Sequence, residues 1–147
     1  MSPSSRSDYY KYLARLNFEA ALAADNVIGL LPGYEIAAPP PVMTLCAHCI
    51  ELSLKAYLLD RGLPEEDVRR FSHGLSNCWG KCVDLGAPPP PNSDVLEIIS
   101  DLLASGRLRY GEQSTLGKVP VFGTLSELFE AALKLSGAPP LSALRVG

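Results

Sequence analysis

The sequence is short of several things that would have declared a function. It has two histidines and one tryptophan in 147 residues, and its formal charge is -3. A net negative chain lacks the basic footprint of a non-specific polyanion binder, although a small local basic pocket is compatible with it. The N-terminal stretch MSPSSRSDYYKY has no apolar h-region, so no secretory signal is predicted there. Uninterrupted apolar runs fall far short of the roughly 20 residues a membrane span needs. The expected address is the cytoplasm with no membrane partner, and there the four cysteines stay reduced. No glycine-rich phosphate loop, dinucleotide fingerprint or serine-nucleophile signature is present. No internal repeat occurs, and no stretch of strand length alternates with period two apart from a weak segment at 118–122.

What is present is a supply of apolar residues, 47% of the chain. That suffices for one domain with its own core, without disulfides or metal. The expectation is a single domain spanning 1–147, with a core over about 7–136 and a tail at 138–147. Residues 7–28 read as an alanine-rich helix whose inner stripe is Tyr10, Leu13, Asn17, Ala20, Ala24 and Ile28, stopped by Gly29, Pro32 and Gly33. Residues 41–61 form the strongest helix. Leu45, Cys49, Leu52, Ala56 and Leu59 make one stripe, which Cys46, Ile50, Leu54, Tyr57 and Leu58 widen until most of the circumference is apolar. Such a helix belongs at the centre of its fold. A narrow polar stripe interrupts it: Thr44, His48, Glu51 and Lys55. Gly62 is placed to end it.

Pro64 opens a short helix, PEEDVRRF, with acids at its positive end and arginines at its negative end. A helix over 75–85 precedes the connector Pro88–Pro91. A further one at 92–104 turns Val95, Ile98, Ile99, Leu102 and Leu103 inward. Thr124-Leu125-Ser126-Glu127 has the form of a capping box and opens the last helix, whose core face is Leu125, Leu128, Phe129, Ala132 and Leu133. Between these two helices lies a long loop, 105–123, with four glycines and Arg107, Arg109 and Lys118 against Glu112. Loops of this length in compact domains are usually functional or disordered.

The cysteines fall in two groups, Cys46 with Cys49 around His48, and Cys78 with Cys82. Zinc requires thiolates converging in a tetrahedron. Both groups read instead as helix interior, where free cysteine behaves as a small buried hydrophobe. No metal and no cofactor is expected.

Three segments in order carry a family resemblance. The first is Cys49-Ile50-Glu51-Leu52-Ser53-Leu54-Lys55-Ala56-Tyr57-Leu58-Leu59, the second His73-Gly74-Leu75 opening a helix, and the third Arg109-Tyr110 after a helix. This series resembles the HEPN domains, in which a helix reading A-x-E-x-x-x-K-A-x-L is followed by H-x-L and a late R-Y. The resemblance implies an all-α, up-and-down bundle of about five helices with the long glycine-containing loop before the last helix. It further implies a homodimer, association with a nucleotidyltransferase-type partner, and a site for a nucleotide or RNA phosphate.

On that reading Arg109 grips phosphate bidentately and Lys55 acts as a point charge held by Glu51. His73 donates at a helix N-terminus and Tyr110 stacks or packs beside it. Ordinary structural roles stand beside these: an i,i+4 ion pair for Glu51 and Lys55, helix capping near Ser72 for His73, and loop anchoring for Arg109 and Tyr110. The HEPN ribonuclease motif is missing. That motif places four to six residues between an Arg and its His, whereas Arg69 and Arg70 are separated from His73 by three and two. A metal-independent ribonuclease, with His73 and Arg69 or Arg109 as catalytic candidates, is therefore one alternative. A pure protein–protein interaction module is the other.

Overall fold

The computed structural model describes residues 6–32, 38–71, 74–105 and 122–141, and for residues 104, 105 and 122 the backbone only. The chain is all-α, with no strand among the described residues. Six α-helices are described: α1 (Arg6–Asp25), α2 (Pro40–Asp60), the five-residue α3 (Glu65–Arg69), α4 (Leu75–Asp84), α5 (Ser93–Ser105) and α6 (Phe122–Ser136). A 3₁₀ turn at Ile28–Leu30 follows α1.

α2 is the centre of the bundle. Pro39 caps it, with proline also in its first turn, where a missing N–H costs nothing. Its end is a Schellman turn. Gly62 takes φ 95°, its N–H bonds the Leu59 carbonyl at 3.0 Å, and the Leu63 N–H reaches back to Leu58 at 3.2 Å. Gly86 ends α4 in the same way, with φ 110°. By length and composition α2 is apolar enough to cross a membrane, but 67% of its apolar window is buried within the protein. α1, α6, α4, α3 and α5 all pack on it. Val42, Met43, Cys46, Ile50, Leu54 and Leu58 are fully buried.

α1 lies antiparallel across α2. Ser7 near its start bonds the Asp60 carboxylate at the end of α2, and Lys11 lies 2.8 Å from the same group. Burial raises the Asp60 pKa, but hydrogen bonds from Lys11 and Ser7 outweigh it and hold this carboxyl below its ordinary range. Further along the helix, the Phe18 ring packs tilted against Phe129 of α6, with centroids 4.9 Å apart. Arg15 donates to the carbonyls of Pro139 and Ala138 beyond the end of α6. On α6 the expected core face is found entire: Leu125, Leu128, Phe129, Ala132 and Leu133 are all buried. Trp79 ties the proline connector to α4 through a hydrogen bond to the Pro88 carbonyl.

Three sequence expectations need correction. The first helix ends at Asp25 rather than at residue 28, because Asn26, Val27, Ile28 and Gly29 are poor helix formers and tighten into the 3₁₀ turn. The inner stripe of α1 is also different. Its buried positions are the small residues Ser7, Ala14 and Ala21, while Ala20 is exposed. Small side chains seven apart let α1 approach α2 closely. Finally, α6 starts at Phe122, ahead of Thr124, so Thr124 lies within the first turn instead of capping it. Ser126 bonds back to the Gly123 carbonyl. Of the long loop, residues 106–121 lie outside the described residues.

Candidate functional site

The polar stripe of α2 is less open than its sequence suggests. Thr44 turns back to the Pro40 carbonyl at 3.0 Å. Lys55 Nζ sits 2.8 Å from Glu51 Oε2, with the two side chains 10% and 14% exposed. The pair is therefore largely desolvated. It faces α4, because both charges act on the Cys78 thiol. Lys55 does not project into solvent as a free phosphate grip. Of the residues expected to form the site, the structure brings Glu51 and Lys55 together. His73, Arg109 and Tyr110 lie outside the described residues. Arg69 is exposed and engaged at the surface. Its guanidinium lies 2.9 Å from Glu65, which also receives Arg6 at 2.6 Å. The hydrogen bond from Arg6, with the charges of both arginines, holds the Glu65 carboxyl below its usual range.

A groove of about 380 Å³ runs beside this region, lined by Leu63, Asp67, Arg70, Phe71 and Lys81. Three elements build it. The turn after α2 supplies Leu63, α3 and the residues after it supply Asp67, Arg70 and Phe71, and α4 supplies Lys81. Arg70 is 78% exposed and touches Asp67 only loosely, at 3.5 Å. Lys81 has no ion-pair partner among the described residues. With Asp67 beside Arg70, the described lining carries one net positive charge, and Lys81 and the loosely held Arg70 beside a half-buried phenyl ring suit an anion that carries a planar group. In sequence, Phe71 precedes His73 by two residues. Sequence reasoning missed it. The Arg-Arg-Phe run was visible, but the arginines were explained by the helix dipole, and nothing in the spacing shows that Lys81 lies across from them. A second cleft, about 170 Å³ between α4 and α5, is lined by Trp79, Val83 and Pro90 with Glu97 as its charged group. That carboxylate disfavours an anion, although the hydroxyls of Ser76 and Ser93 also line the cleft.

The cysteines occupy the core. Cys46, Cys49 and Cys82 are fully buried and Cys78 nearly so, all with free thiols. Cys49 lies 4.0 Å from the Ser53 hydroxyl, and Cys82 donates weakly to the Leu54 carbonyl. Burial pushes the Cys49 thiol up to about 12 and raises Cys46 as well. The Cys78 thiol is raised chiefly by its hydrogen bond with Cys82, then by burial. Thiols held protonated in this way are poor metal ligands and poor nucleophiles. Titration of native protein with a thiol reagent at pH 8 is expected to label less than one cysteine over minutes, and all four after denaturation. Rapid labelling of native protein, or stoichiometric zinc by elemental analysis, would contradict this account.

No family model, curated protein or solved structure matches the chain. Its function has to be read from its own residues.

Proposed function

We propose that the chain is a HEPN-like helical domain that binds a nucleotide or RNA phosphate and works beside a nucleotidyltransferase-type partner. The observation that supports this reading best is the groove carrying Arg70, Lys81 and Phe71. Its cations answer a phosphate and its ring answers a base. They supply locally the positive potential that the whole chain lacks, which is how a cleft selects an anion on an acidic protein. In this reading His73, Arg109 and Tyr110 complete the site as the resemblance implies. Lys55 is already engaged by Glu51 and gives the phosphate no direct grip. A ribonuclease reading stands lower, since Arg69 is committed to Glu65 and the motif spacing is absent. A pure interaction module is favoured by a separate observation, the exposed Tyr9, Tyr12 and Leu16 on α1.

The test is fluorescence anisotropy with a labelled nucleoside triphosphate and, separately, a labelled single-stranded RNA. Binding is expected to weaken as salt rises. Arg109→Ala, and the double change Arg70→Ala with Lys81→Ala, are each expected to weaken binding at least tenfold with the helical circular dichroism unchanged. Absence of binding to either probe at low salt would refute the reading. Shortening of the RNA would transfer the case to the ribonuclease alternative.

A further inference from the structure

α4 and α5 face each other with two matching stripes. Ser76, Trp79, Gly80 and Val83 are spaced three and four apart on α4, and Ser93, Leu96 and Glu97 are spaced likewise on α5. With Pro90 of the connector they line the cleft of about 170 Å³ between the two helices. The helices run in opposite senses. The Ser76 N–H meets the Ser100 hydroxyl at 3.5 Å, while Val83 at the end of α4 shares the cleft with Ser93 at the start of α5. On that register position 97 comes level with 79 and 80.

Three features of this cleft do nothing for the fold. The Ser76 hydroxyl is buried, and it is the one such side-chain atom among the described residues without a hydrogen-bond partner. An orphaned hydroxyl costs free energy that an alanine would avoid. Gly80 stands inside α4, where glycine is a poorer helix former than alanine. Its φ is not positive, and a Cβ at this position would meet nothing within 4 Å, so neither backbone nor packing requires glycine. The bare position keeps the wall of the cleft open. Glu97 has no ion-pair partner among the described residues. Asp94 and Asp101 flank it one turn away on each side along α5, and no cation lines the cleft.

We infer that this cleft is a binding site for a small organic cation, a primary ammonium on a compact apolar body. The size fits, since a cavity of about 150 Å³ takes a benzene ring. The ammonium pairs with Glu97 and donates to the hydroxyls of Ser76 and Ser93, which gives the orphaned oxygen its partner. The apolar body lies among Val83, Pro90 and Leu96 beside the Trp79 ring. The indole N–H is already bonded to the Pro88 carbonyl, so the ring offers carbon surface rather than a donor. An anion is repelled by the acidic row on α5, and a neutral apolar molecule leaves Glu97 and Ser76 unanswered. This cleft shares no residue with the groove of Arg70 and Lys81, so the inference does not depend on the nucleotide or RNA reading.

Trp79 is the only tryptophan of the chain, so its emission reports on the cleft. The experiment adds cyclohexylamine, an ammonium at pH 7 that does not absorb with the indole, to the full chain. A saturable change with a Kd of about 1 mM or lower is expected. Cyclohexanol should bind at least tenfold more weakly, and cyclohexanecarboxylate should give no response. Glu97 is exposed, so Glu97→Gln should keep the helical circular dichroism while weakening amine binding at least tenfold. Ser76→Ala should bind several-fold more weakly with no loss of melting temperature. Gly80→Leu should melt a few degrees higher, as a better helix former, yet lose binding because its side chain occupies the cleft. No saturable response to the amine at tens of millimolar overturns the inference. So does equal affinity for the alcohol or the carboxylate, or wild-type affinity in any of the three variants. A failure of nucleotide and RNA binding in the anisotropy test would leave all these readouts unaffected.

Discussion

Leu54→Ala is expected to destabilise the protein by about 2–5 kcal/mol, measured by urea unfolding followed through the helical signal. Leu54 is fully buried at the middle of α2, and its carbonyl also accepts the Cys82 thiol of α4. Removing the side chain loses the transfer energy of three carbons. It also leaves a hole that α2, held by neighbours on several sides, cannot close by shifting. Leu52, from the stripe that sequence periodicity makes most prominent, is only partly buried. Leu52→Ala is therefore expected to cost clearly less. If the two variants unfold at the same urea concentration, α2 does not occupy the centre of the bundle as described.

The contrast between Leu52 and Leu54 shows what periodicity conveys in this chain. α2 is apolar nearly all round, so its central place was legible, and so was its stop at Gly62. Which of its sides packs hardest was not, because a helix apolar on every side has no preferred direction. α1 presents the same ambiguity in another form. It carries two apolar stripes, one small and one large. Spacing alone favoured a stripe through Tyr10, Leu13 and Ala20, whereas close packing on α2 chose Ser7, Ala14 and Ala21. The larger residues Tyr9, Tyr12 and Leu16 were left outside. α6 has one apolar face opposite a charged one, and its core face was read correctly.

The candidate site was legible only in part, for a similar reason. Glu51 and Lys55 are four apart on one helix, so their contact follows from local geometry. The groove of Arg70, Phe71 and Lys81 joins residues from separate elements. Its formation depends on the turn between α3 and α4, which no periodicity encodes.

The second large effect is expected at the Glu51–Lys55 pair. Glu51→Leu with Lys55 retained should destabilise by about 3–5 kcal/mol, because it strands the charge of Lys55, whose side chain is 10% exposed, beside α4. Lys55 has no other ion-pair partner among the described residues. The double change Glu51→Leu with Lys55→Met removes both charges while keeping the side-chain volume, and most of the lost stability should return. A buried pair often contributes little net stability compared with an apolar replacement, yet costs much when half of it is removed. The same double-mutant cycle at the exposed Arg69–Glu65 pair should give a much smaller coupling, falling further in high salt. The Glu51–Lys55 cycle should be nearly indifferent to salt, since screening acts weakly on desolvated charges. The folded double variant also separates structure from function. If it binds the labelled nucleotide and RNA as the wild type does, the pair is an internal fastening between α2 and α4. If it is as stable as the wild type but binds neither, then the charge retained inside α2 serves the phosphate site. A Glu51→Leu variant as stable as the wild type would show that Lys55 escapes to solvent and that the pair is not buried at all.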